Sequence, residues 1–126
     1  MTNHEQLVYM AGIVDGEGCL STDRDGDRFK ARLSIAGSHY PTMLWIRMIF
    51  GGSVYKCLPR KNSLVRSKKI SWSWVLTCNQ ATELIKELLP YIKIKQKEAV
   101  VFLRLRGANH KERRLLSDDL KQLKRE

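Results

Sequence analysis

Cysteine is sparse in this 126-residue chain, and Cys19, Cys57 and Cys78 stand far apart, with no Cys-x-x-Cys pair and no clustered Cys/His spacing. That excludes a disulfide framework, a zinc ribbon and a redox pair, and leaves reduced thiols that are expected to be buried. His4, His39 and His110 are equally scattered and form no metal-ligand group. No apolar run approaches the roughly 20 residues needed to span a bilayer, and the opening MTNHEQLVYM lacks the basic segment and apolar stretch of a secretory signal. A soluble, intracellular protein with no membrane partner is expected. Internal repeats, low-complexity segments and linkers are missing too, so residues 1–126 read as a single domain, long enough to bury a core without covalent staples.

Acidic residues are also few. Thirteen aspartates and glutamates face 23 lysines and arginines, a net charge of +10. Such an excess attracts polyanions, but ribosomal, chromatin and membrane-surface proteins share it. Its distribution says more. Between Val54 and Ile70 the basic residues are Lys56, Arg60, Lys61, Arg66, Lys68 and Lys69, and no acid interrupts them. This stretch repels itself and suits a row of phosphates.

From Glu5 to Gly16 apolar residues cover much of a helix rather than one stripe, which predicts a helix buried on more than one side. Cys19–Asp23 and Phe29–Ile35 flank the turn residues Asp25, Gly26 and Asp27, and in the second of these strands Phe29, Ala31, Leu33 and Ile35 alternate with Lys30, Arg32 and Ser34. Pro41 suits a helix start and Gly51-Gly52 a stop, which predicts a helix over 40–50. Val54–Leu58 and Lys69–Thr77 read as a second hairpin across the basic loop, with its tryptophans in the core. Asn79 is the expected cap of a helix that Pro90 ends; another runs from about Lys93 to Arg106, closed by Gly107; and Ser117-Asp118-Asp119 looks like the start of a short last one. The order is that of an α+β domain whose antiparallel hairpins present one polar, basic face.

The segment Met10-Ala11-Gly12-Ile13-Val14-Asp15-Gly16-Glu17-Gly18 resembles, position by position, the signature of the LAGLIDADG homing endonucleases. A chance match is expected at about one start in ten million or fewer, so the signal is strong. A second stretch, Leu89–Ala99, resembles the segment that opens the last core helix in single-motif members of that family. The resemblance covers most of the chain up to about Gly107, leaving 107–126 as a C-terminal helical extension. It implies an αββαββα domain with a saddle-shaped DNA-binding sheet. Gly12 and Gly16, four apart, make with Val8 and Ala11 a face of small side chains where another backbone can approach. In the family the motif helices pack in pairs, so a single copy implies a homodimer, with Val8, Ala11, Gly12, Asp15 and Gly16 at the two-fold axis.

The same resemblance assigns Glu17, with Gly16 beside it, as ligand of a divalent cation, Mg2+, shared across the two active sites. Its position usually holds aspartate. Glutamate is one methylene longer and chemically competent. Lys95 matches a basic residue that the family places beside the scissile phosphate, where an ammonium offsets developing charge. Ser38 and His39, at the end of the second strand, are candidates for the remaining polar position, His39 being the one assigned. Asp15 is expected to act through structure rather than as a metal ligand. By strand alternation Ser21, Asp23, Asp25, Lys30, Arg32 and Ser34 share the DNA-binding face, extended across the second hairpin by Lys56, Arg60, Lys69, Ser71 and Ser73, with Lys61, Arg66 and Lys68 in the basic loop.

The resemblance implies an enzyme that breaks both strands of a long, pseudo-palindromic double-stranded DNA site, the activity behind intron mobility. Two other classes fit a basic sheet face: a maturase that assists splicing of intron RNA, and a DNA-binding protein that kept the fold without catalysis. An acid at position 17 argues against the last.

Overall fold

The computed structural model describes residues 1–58 and 70–125. Helix α1 (Asn3–Glu17) is followed by strands β1 (Gly18–Asp25) and β2 (Arg28–Gly37), helix α2 (Tyr40–Phe50), strands β3 (Ser53–Cys57) and β4 (Ser71–Thr77), then helices α3 (Cys78–Leu88), α4 (Gln96–Leu103) and α5 (His110–Lys124). A 3-10 turn at Leu89–Tyr91 separates α3 from α4. The four strands form one antiparallel sheet in the order β1-β2-β4-β3, the α+β architecture expected.

Local chemistry sets the ends of these elements. Thr2 and Glu5 form a capping box at the start of α1, each side chain accepting from the other's backbone amide. At its other end the Gly18 amide donates to the Val14 carbonyl, and a Cβ on Gly18 would stand 2.7 Å from that carbonyl oxygen. The chain therefore turns out of α1 straight into β1 only because residue 18 is glycine. Gly52, at φ +93, passes under Val75 and Trp74 in the same way, and the Trp74 indole donates to the Gly51 carbonyl at 2.7 Å.

All five helices pack on one face of the sheet. Directly paired residues point to the same side of an antiparallel ladder, and Leu20↔Leu33, Leu33↔Leu76 and Ile35↔Trp74 fill that side. Met10, Ala11 and Val14 from α1, Ile46 from α2, Ile85 and Leu88 from α3, Phe102 from α4 and Leu120 from α5 complete the core.

Four expectations are corrected. Helix α3 starts at Cys78 with Thr77 as its N-cap, two residues earlier than an Asn79 cap allows. The stretch 92–95 is an irregular connection, and α4 occupies only the middle of the helix expected over 93–106. The last helix begins at His110, where the Asn109 side chain accepts from the Glu112 amide; Ser117 is a buried mid-helix residue bonded to Thr22 at 2.6 Å, not a cap. The cysteines are not core thiols, since Cys19 and Cys57 are half-buried and Cys78 is exposed. No helix among the described residues is long and apolar enough to cross a membrane.

Candidate active site and nucleic-acid interface

The motif helix divides sharply into two sides. Met10, Ala11 and Val14 are fully buried in the chain's own core, whereas Val8, Tyr9, Gly12 and Gly16 are exposed. Cβ atoms built on Gly12 and Gly16 meet nothing within 4 Å. Nothing inside this chain therefore requires glycine at either position. Ala11 faces inward, which corrects its placement on the outward side of the helix; Tyr9, 50% exposed, is on that outward side with Val8, Gly12 and Gly16.

Glu17 is the last residue of α1, exposed, with no hydrogen bond or ion pair among the described residues. The carbonyl of Gly16 lies in the final helical turn, where C=O groups lack helical partners. Beside it the Asp15 carboxylate turns the other way. It accepts from the backbone amides of Lys93 at 2.7 Å and Lys95 at 3.2 Å, while the Lys95 ammonium donates to the Asp15 carbonyl at 2.6 Å. Lys95 is thus held at the same helix end as Glu17, from a segment some eighty residues further along the chain. Asp15, half-buried and engaged in this way, is spent on contacts within its own chain, which corrects its placement on the outward face of the helix.

Oxygen donors of this kind suit a hard divalent cation such as Mg2+. Among the described residues no three His, Cys, Asp or Glu side chains gather into a metal site. One chain supplies a single carboxylate, and a second would have to come from elsewhere.

His39 is not brought to this end. Its Nδ1 shares a 2.5 Å hydrogen bond with the Thr42 hydroxyl, and it lines a cleft with Met1, Tyr9 and Trp45. Tyr9 lies eight residues before Glu17, about 12 Å along the helix at 1.5 Å per residue. Strand β2 runs on to Gly37, paired with β4, before the chain turns into α2, which carries residue 39 past the helix end.

On the sheet face away from the helices, β1 and β2 place Ser21 opposite Arg32, Asp23 opposite Lys30 and Asp25 opposite Arg28, with Ser34 next in line. These positions share one face as expected. Arg28 was overlooked because it was read as part of the turn. Acid and base sit pairwise across the hairpin, so this half of the face is charged yet only modestly positive. On the second hairpin Ser71 and Ser73 do share the face, opposite Cys57 and Tyr55. Lys56 does not. It pairs with Trp72 on the helix side, its ammonium 5.9 Å from the centre of the Trp72 ring. Val54, which packs on the core, sits on the same side of β3 as Lys56 and was the signal for this. The outward residue at that point is Tyr55, 56% exposed. Arg60, Lys61, Arg66, Lys68 and Lys69 lie outside the described residues.

No protein-family model matches the sequence, and neither does any curated protein. Solved structures do match. The homing endonuclease I-CvuI bound to the I-CreI target with 2 mM Mg, its DNA not cleaved, superposes with a TM-score of 0.74 at 19% identity, over 95% of this chain and 82% of that one. I-CvuI with its own target in the presence of 2 mM Ca gives 0.73 at 22% identity, over 94% of this chain and 82% of that one. The archaeal intron-encoded homing endonuclease I-Vdi141I, complexed with DNA, gives 0.75 at 17% identity, over 96% of this chain and 85% of that one.

This is a homing-endonuclease fold. Within it the LAGLIDADG-like segment forms the second half of α1 and the first residue of β1, the helix-to-strand passage that carries Asp15 and Glu17.

Proposed function

We propose that the protein is a homing endonuclease that works as a homodimer and makes a site-specific double-strand break in a long, pseudo-palindromic DNA target. The observation that carries this reading is the pairing of an exposed Glu17 with a tethered Lys95 at one helix end, on a helix whose two outward glycines have open space before them. Two copies of α1 packed through Val8, Tyr9, Gly12 and Gly16 bring two Glu17 carboxylates and two Gly16 carbonyls together near one axis. I-CvuI was crystallised on DNA with Mg and with Ca, in keeping with a divalent cation here.

Glu17 and the Gly16 carbonyl would hold that cation, which when bound supplies charge neutralisation and an acidified water for attack on the phosphodiester. Lys95, fixed on the Asp15 carbonyl, directs its ammonium charge toward the phosphate whose negative charge grows in the transition state. The outward residues of β1 and β2 lie in the major groove as a two-stranded ribbon, where Lys30 and Arg32 read guanine edges and Asp23 accepts from cytosine N4. Ser71, Ser73 and Tyr55 meet the adjoining bases.

Cleavage selection from a randomised duplex library, run with magnesium, with calcium and with chelator, tests this. Cutting of a two-fold related site with magnesium alone is the expected result. Enrichment of bound, uncut duplex in every condition would replace the enzyme by a DNA-binding protein of the same fold, and enrichment of nothing would send the search to intron RNA.

A further inference from the structure

Strand β4 ends at Thr77 opposite Arg32, so residues 28–31 of β2 have no neighbour on that edge. The gap is a notch with a cavity of about 110 Å³, lined among others by Lys30, Cys78, Asn79, Thr82, Arg106 and Arg113. Three of these side chains are cationic and none is acidic. Arg106 is ion-paired with Glu83, which does not line the cavity. The first turn of α3 opens into the notch, and its N-cap Thr77 makes no side-chain hydrogen bond, so the amides of that turn keep unused donors.

Arg113 forms the wall between this notch and a second cleft of about 290 Å³, lined by Arg28 and His110 as well as Arg113 itself. Its Nη1 donates to the Phe29 carbonyl at 3.1 Å, closing the bare edge of β2. Its Nε is buried and has no acceptor among the described residues. A cationic pocket of this volume, with a helix start behind it and a buried N–H lacking a partner, fits a tetrahedral oxyanion.

We infer that the notch holds a phosphodiester group of the bound duplex, gripping the DNA backbone beside the base-reading face through Arg106 and Arg113 without regard to sequence. The inference rests on the DNA-binding reading above. Lys30 belongs both to the outward face of β2 and to the notch lining, which makes the two surfaces continuous. Helix α5 then has a second task besides covering the core: it delivers Arg113 to the duplex.

The test is the salt dependence of binding to a random-sequence duplex by the wild type and by Arg106→Gln, Arg113→Gln and Arg114→Gln, the last an exposed residue of α5 that lines neither cleft. Losing one phosphate contact lowers the log–log salt slope by roughly 0.9 and weakens binding about fivefold near 150 mM salt. Arg106→Gln and Arg113→Gln are expected to show that loss and Arg114→Gln to show little of it. Should Arg113→Gln fail to fold, Arg106→Gln alone decides, together with the Arg113 Nε–H resonance of the wild type, which is expected to shift when duplex is added. A wild type that binds with an unmoved Nε–H resonance, or equal slopes in all the variants, overturns the phosphate grip and leaves the endonuclease reading standing. A wild type that binds no duplex removes both.

Discussion

The Asp15 carboxylate and the Lys95 ammonium do not face each other: the carboxylate takes backbone amides of Lys93 and Lys95, and the ammonium takes the Asp15 backbone carbonyl. The two residues form a double clasp between the end of α1 and the segment before α4, and neither uses its charge on the other's. That leaves the Lys95 charge uncancelled at the helix end, where the carbonyl dipoles hold it.

Asp15→Asn keeps one acceptor oxygen and loses the other. It is expected to cost about 1.5–3 kcal/mol in urea unfolding, the range for a lost hydrogen bond to a charged group. Cleavage is expected to fall much further than duplex binding, because Lys95 leaves its place. Loss of both in equal proportion would make Asp15 a purely structural residue.

Glu17→Gln removes the exposed carboxylate that ends α1 while leaving the fold untouched, since Glu17 has no partner among the described residues. Cutting is expected to vanish, with the equilibrium constant for duplex binding in calcium close to that of the wild type. Retained cutting would take Glu17 out of the mechanism.

The glycines of the motif separate into two kinds. Gly12→Ala meets nothing within 4 Å and improves helix propensity, so monomer stability is expected to hold or rise by up to about 1 kcal/mol, while sedimentation shows a weaker dimer. Gly18→Ala drives a methyl group onto the Val14 backbone and is expected to destabilise the monomer by about 1–3 kcal/mol. A Gly12→Ala protein that dimerises like the wild type would remove α1 from the interface.

At the start of α1 the Glu5 carboxyl is held below its ordinary value of 4.5, first by the Thr2 backbone amide, then by the Thr2 side chain, with a further pull from His4. Because the folded state favours the charged form, its contribution is present above the unfolded value and is lost as pH falls through the lowered one. Unfolding of the wild type and of Glu5→Gln, followed from pH 7 to pH 3, is expected to show a gap that closes at the acid end. A gap independent of pH would assign the capping box no ionic component.

Tyr55 and Lys56 are neighbours in sequence on opposite sides of β3. Tyr55→Ala is expected to alter the base preference found in cleavage selection, and Lys56→Ala to leave it alone. The reverse result would mean that the second hairpin meets DNA by its edge.

Much of this was legible from residue order, for reasons that can be named. The first hairpin could be read because Phe29, Ala31, Leu33 and Ile35 alternate strictly with polar residues, and α2 because Pro41 and Gly51 bracket it. The resemblance assigned Glu17 and Lys95 to one site, and the clasp through Asp15 is what brings both to one helix end. What escaped depended on contacts distant in sequence. Ser117 looked like a cap because a hydroxyl before two aspartates usually is one, whereas here it meets Thr22 inside the protein. His39 could not be located because the length of β2 beyond Ile35 is set by its ladder with β4, which no local pattern announces.

The strict alternation of the sheet has a consequence for descent. Arg32 and Ser34 look outward from β2 between the core residues Ala31, Leu33 and Ile35, so this outward set can drift from one lineage to another with little effect on folding. The scaffold stays while the surface it presents is rewritten, and a chain only 17–22% identical to its structural counterparts keeps their shape.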